Sequence, residues 1–234
     1  MMFKKPLDIL RPFFKRKNVP WYVKIIRPVV LATALLFGAN HLLIPNMPGR
    51  SLTPGERTML SETFRNSVNY DKVRVHHSAF GNAVRRIARA EMITYGSLII
   101  TDSDTPDYSA KEVPFMPRYS FTHEMAHVWQ NQNRVSEKFS DLVARQKIKI
   151  PGAEQISTYQ YSLTPGRDLT DFNIEKQASI VTDYNFLVRP PEIAAKNINS
   201  PLNTDAFTTP GERKVAYETT LKKFLADPSY PRRK

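Results

Sequence analysis

The chain has 234 residues, 41% of them apolar, which is enough for one domain with a buried core and too few for a polytopic membrane protein. It contains no cysteine, which excludes disulfides, thiolate metal ligands and lipoprotein acylation. Its formal charge of +12 sits at the ends: residues 1–28 carry +7, residues 212–234 carry +4, and the stretch between them carries +1, so no nucleic-acid partner is expected across the body.

Eight basic residues, from Lys4 to Arg27, precede an apolar run from Val29 to Ile44. That run is shorter than the roughly 20 residues that span a bilayer, and Asn40-His41 interrupts it. The basic flank fits a signal anchor with its charged end inside. A helix buried against the domain or docked on a partner is the alternative. Phe37-Gly38-Ala39 is a poor site for signal cleavage. The expected organisation is a basic and apolar anchor or docking segment over residues 1–49, a folded domain over 50–226, and a basic tail over 227–234.

Within the body, Thr-Pro-Gly-Glu occurs at 53–56 and again at 209–212. Thr can cap a helix, Pro suits the first turn, and Glu closes a capping box, so each tetrapeptide predicts a helix start. The first helix is expected over 54–66 with Met59, Leu60 and Phe64 inward, the last from Thr209 to about Ala226. Val73 to His76 alternates like a short strand. Residues 83–92, rich in Arg, read as a helical or irregular insertion. Ser97 to Thr101 reads as a strand, and as the sheet edge that would hold an extended peptide. Helices are expected over 118–133, 134–148 and from Asn173 to Tyr184, the last ended by Pro190-Pro191. Strands first and helices later make the fold class α+β, with a small sheet and a mostly helical C-terminal half.

His123-Glu124-Met125-Ala126-His127 carries the chemistry. Residues four apart share one helix face, so both imidazoles can reach one metal ion. Glu124 lies where it can take a proton from a water that the ion activates. Phe121, Met125, Ala126, Val128 and Trp129 surround the trio, as on a packed helix. No His follows His127, and positions 130 and 133 are Gln and Asn, so a third His just downstream is excluded. The third ligand is then a downstream carboxylate, or His76 or His77 from upstream. Glu137 and Asp141 follow too closely, and Asp168 and Asp171 lie in a loop-like run. Glu175 opens a helix and shares a face with Ala178, whose small side chain lets two helices approach. Tyr161 is the candidate for stabilising a tetrahedral intermediate, with Tyr159 and Tyr184 nearby.

His-Glu-x-x-His followed by Glu175-x-x-Ala178 is similar to the gluzincin pattern of zinc metallopeptidases. The strings Ser120 to Gln130, Tyr159 to Leu163 and Asp171 to Tyr184 resemble a family of small bacterial zincin-like proteins. Proteins of that family are labelled Rhs- or Vgr-associated and linked to type VI secretion. The resemblance begins at Ser51-Leu-Thr-Pro-Gly-Glu56 and runs from about Arg50 to Val188. It implies a zincin-like fold, a Zn²⁺ cofactor, and a peptidase site with His123, His127 and Glu175 as ligands and Glu124 as general base. Many gluzincins carry an acidic residue four positions after the ligand Glu, where it orients a ligand His. This chain has Ser179 there, with Asp183 as a substitute. The expected substrate is a protein, a peptide or the peptide stem of cell wall. The expected place is the bacterial cell envelope, membrane-associated or exported, with the cytoplasm as alternative. A membrane or a secretion apparatus is the expected partner of the N-terminus. The contrasting reading is a zincin-fold accessory or structural protein of such an apparatus.

Overall fold

The computed structural model of the chain describes residues 48–78, 82, 91–101, 103–135, 159, 161–187 and 210–233. All of them belong to one compact unit, Pro48–Lys234. The apolar N-terminal run, residues 83–90, and residues 136–148 of the expected second helix lie outside the described residues. No helix among the described residues is long and apolar enough to cross a membrane.

Helix α1 spans Pro54–Phe64 and starts as its tetrapeptide predicts. The Glu56 amide donates to Thr53 Oγ1 at 3.0 Å, and the Thr53 amide donates to the Glu56 carboxylate at 2.9 Å. Glu56 does more than cap. It is fully buried, accepts two bonds from the Arg50 guanidinium at 2.7 and 2.8 Å, and accepts a third from the Tyr108 amide at 2.9 Å. A buried carboxylate is tolerated only when its oxygens are matched in this way. The result ties residue 50, the start of α1 and the loop after the sheet to one side chain. Met59, Leu60 and Phe64 face inward as expected.

The sheet has three strands: β1 Arg74–His76, β2 Met92–Tyr95 and β3 Leu98–Thr101. Their order is β1-β3-β2, with β1 parallel and β2 antiparallel to β3. The expectation that Ser97–Thr101 is the sheet edge is therefore corrected. β3 is the central strand, buried at every position, and both of its sides are used in pairing. Among the described residues β2 pairs on one side only. β2 begins at Met92, the last residue of the insertion expected over 83–92. It forms a tight hairpin with β3 through Gly96-Ser97, and Gly96 holds the positive φ of 61° that such a two-residue turn requires.

Helix α2 spans Phe115–Gln132, three residues earlier than its pattern suggested. Pro117 falls in the first turn, where a missing N–H leaves nothing unbonded. Helix α3 spans Ile174–Leu187, with Asn173 Oδ1 accepting from the Lys176 amide at 2.8 Å as an N-cap. Helices α4 Pro210–Thr220 and α5 Lys222–Ala226 occupy the expected last helix, broken at Leu221. The fold is α+β, with the small sheet early and helices after it.

Trp129, fully buried on α2, packs edge-on against Phe224 at 5.1 Å and donates its indole N–H to the Pro228 carbonyl at 2.7 Å. The expected basic tail reaches back in the same way. Tyr230 bonds Asp168 at 3.0 Å, and Arg232 bonds the Ser67 carbonyl at 2.8 Å. Positive charge there coexists with packing against the body.

Candidate metal centre

Helices α2 and α3 pack antiparallel, since Tyr119 near the start of α2 meets Asp183 late in α3, while Gln130 near the end of α2 meets Ile174 and Gln177. Ala178 and Ser179 are fully buried in this seam, and their small side chains let the two backbones come close. Three polar layers cross it. The middle layer holds His123, His127 and Glu175.

Glu175 Oε2 lies 3.3 Å from His123 Nε2 and 3.1 Å from His127 Nε2. One ligand atom from each residue falls within 4.8 Å of the others, and His123, His127 and Glu175 are the one such group among the described residues. The imidazole planes stand at 82° to each other, with centroids 4.9 Å apart, so the rings converge and do not stack. A tetrahedral ion with bonds of about 2.0–2.1 Å has ligand–ligand edges of roughly 3.3–3.4 Å. The two Glu175–imidazole separations lie near those edges, and the third, between the imidazoles, is within 4.8 Å. Two borderline nitrogen donors and one carboxylate suit zinc, and three protein ligands leave a fourth position open. The donor set therefore fits the expected ion.

Glu124 is buried beside this trio, and its backbone carbonyl accepts from Thr94 Oγ1 of β2 at 3.0 Å. That bond holds β2 alongside the ligand stretch of α2. Tyr159 is 40% exposed, and its ring centroid lies 6.0 Å from that of His123.

Tyr161, the candidate for stabilising a tetrahedral intermediate, sits in a buried group of hydroxyls around Asp183. Its hydroxyl is buried, donates to Asp183 Oδ2, and bonds the Tyr217 hydroxyl at 2.6 Å. Tyr119 donates to Asp183 Oδ1 at 2.7 Å. Burial, with the Asp183 charge adding to it, pushes the Tyr161 and Tyr119 phenols well above their ordinary range. Burial also raises the Asp183 carboxyl, against the opposing effects of Tyr161, Tyr119, His123 and Tyr217. Asp183, the expected substitute at the missing acidic position, is thus bonded to phenols. Ser179 Oγ is buried without a hydrogen-bond partner.

The residue that does bond a ligand imidazole was passed over in the sequence. Gln130 Oε1 lies 2.8 Å from His127 Nδ1. Its signal was spacing, because Gln130 is three residues after His127 and so shares its helix face. Of the alternative ligands, His76 is buried in β1 and bonds the Pro48 carbonyl and, at 2.7 Å, Ser78 Oγ. His77 is exposed and lines a cleft with Arg50 and Asp104. Asp168 and Asp171 form a reciprocal cap on the short 3-10 helix Leu169–Asp171. Glu137 and Asp141 lie outside the described residues.

No family model matches the chain. In an alignment 154 positions long that covers 58% of this chain, it is 28% identical to the type VI secretion system spike protein VgrG2b of Pseudomonas aeruginosa, and that match spans 13% of the spike protein. Among solved structures, the effector domain of Pseudomonas aeruginosa VgrG2b superposes with a TM-score of 0.49 at 21% identity, covering 86% of this chain and 96% of that domain. Over more than half its length, the chain is similar to a small part of a type VI secretion spike protein.

Proposed function

We propose that this chain is a zinc metallopeptidase of the gluzincin type, on a zincin-like domain spanning residues 50–226. The observation that carries the reading is the convergence of His123, His127 and Glu175 on one point between two packed helices. When bound there, zinc supplies Lewis acidity that makes a water nucleophilic near neutral pH. Glu124, adjacent to His123 and buried, takes the proton from that water and delivers it to the leaving amine. β2 supports an extended peptide as substrate, since Thr94 fixes it beside Glu124 and Ile93, Thr94 and Tyr95 are partly exposed. Tyr159, beside His123, is better placed than Tyr161 to donate to a developing oxyanion. Buried pairing with Asp183 and Tyr217 commits the Tyr161 hydroxyl elsewhere.

Similarity to a secretion spike protein supports an exported protein acting at the bacterial cell envelope on a protein, a peptide or cell-wall peptide. Residues 1–49 would anchor it to the membrane or dock it on the apparatus. An accessory protein of that apparatus, acting by binding alone, has no need of a buried base beside its ligands, so Glu124 favours the hydrolase.

Elemental analysis of the full chain should give about one zinc per molecule, and His123→Ala should lose it. Glu124→Gln should keep zinc and structure and lose about 10²–10⁴-fold of peptide hydrolysis. Full zinc occupancy in His123→Ala would overturn the metal site. Full activity in Glu124→Gln would require another base.

A further inference from the structure

Gln130 is 3% exposed, and all of its side-chain polar atoms are engaged across the seam. Its Nε2 donates to the Ile174 carbonyl at 2.8 Å and to Gln177 Oε1 at 3.2 Å. Gln177 Nε2 donates in turn to the Phe172 carbonyl at 2.7 Å. The two backbone carbonyls can only accept. Gln177 must therefore turn its nitrogen to Phe172 and its oxygen to Gln130. Gln130 must turn its nitrogen to Ile174 and Gln177, which leaves its oxygen facing His127. An amide oxygen carries no proton, so His127 Nδ1 must supply the one in that 2.8 Å bond. In the neutral ring the bare nitrogen is then Nε2, the atom that faces Glu175.

We propose that Gln130 is a positioning residue that sets His127 in its Nδ1–H form, with the Nε2 lone pair aimed at the metal position. The same amide grips the carbonyl of Ile174, directly before Glu175. One side chain thereby fixes the ring of one ligand and the backbone that carries another. This inference rests on the metal-site reading above.

The test is zinc affinity by chelator competition, with the visible absorption of the Co²⁺-loaded protein as a second readout of ligand geometry. Gln130→Leu, close in size and without an acceptor, should weaken zinc about 10–100-fold and alter the Co²⁺ spectrum. Gln130→Glu still offers Nδ1 an oxygen but loses the donor to Ile174 and Gln177, so it should weaken zinc less than Gln130→Leu does. Wild-type affinity in Gln130→Leu, or equal loss in both variants, would overturn the proposal and leave the metal site standing. Absence of zinc binding by wild type would instead remove the metal site, and the proposal with it. Should Gln130→Leu fail to fold, the zinc-loaded wild type decides by NMR. The His127 Nδ1 proton is expected downfield, protected from water exchange and close to the Gln130 side chain. An unprotected Nδ1 proton would overturn the assignment.

Discussion

At one end of the α2–α3 seam a carboxylate collects phenol hydroxyls. At the other, two amides carry a chain of hydrogen bonds donated from an imidazole toward a backbone carbonyl. The first end joins four parts of the fold, because Asp183 lies on α3, Tyr119 on α2, Tyr217 on α4, and Tyr161 on the segment before the short 3-10 helix. The second involves the two helices and Phe172 just ahead of α3. The groups that hold the first end together are ionisable, whereas the two amides of the second are not. The comparison separates two tasks: the carboxylate end holds tertiary structure together, and the amide end aims a ring with side chains that carry no charge.

The largest effect on stability should come from Asp183→Ala, which leaves buried phenols without their acceptor. Hydrogen bonds to a charged group are worth about 1.5–3 kcal/mol each, and relief of the carboxylate's own burial offsets part of the loss, so a net of about 2–4 kcal/mol is expected in the urea midpoint. By contrast, Gln130→Leu should act mainly on zinc. If the two variants moved stability and zinc affinity in the same proportion, the division of labour would fail.

Tyr161→Phe removes one hydroxyl from the carboxylate end and should cost about 1 kcal/mol while sparing catalysis. A loss of about 10²–10³-fold in kcat at unchanged stability would restore Tyr161 as an oxyanion donor.

The smallest effect sharpens the comparison through pH. Burial raises the Asp183 carboxyl in the folded state, so the folded chain holds that proton more tightly than the unfolded chain. Stability from this group is fully present below the unfolded carboxylate value. It falls as pH rises through the window up to the folded value, and the cost persists above that. Metal-free wild type should therefore lose stability relative to metal-free Asp183→Asn as pH rises through this window. Urea midpoints measured from the ordinary carboxylate value upward give the difference; parallel curves would mean that Asp183 is not perturbed.

Local signals were legible in the sequence, and nonlocal ones were not. The capping box at Thr53 and the ligand spacing of His123 and His127 are written within four residues. Glu175 was legible because it opens a helical segment and shares a face with the small Ala178. β2 was missed because four residues before a Gly-Ser turn carry too little pattern. The central place of β3 depends on β1, more than twenty residues away in sequence, which no local periodicity encodes. The buried partners of Tyr161 are illegible for the same reason. Its partners Asp183 and Tyr217 lie 22 and 56 residues downstream. Gln130 was within reach, three residues from a ligand on the same helix, and was passed over because its partners lie on another helix.

His127 and Glu175 are 48 residues apart in sequence. A zinc ion held by both would close that stretch into a loop. For a loop of this length, the entropy removed from the unfolded chain corresponds to roughly 4 kcal/mol on the scale used for disulfides. The chain has no cysteine, so the ion would be its covalent-like cross-link. Such a link forms and holds independently of thiol redox state. It would serve alike in a reducing and in an oxidising compartment.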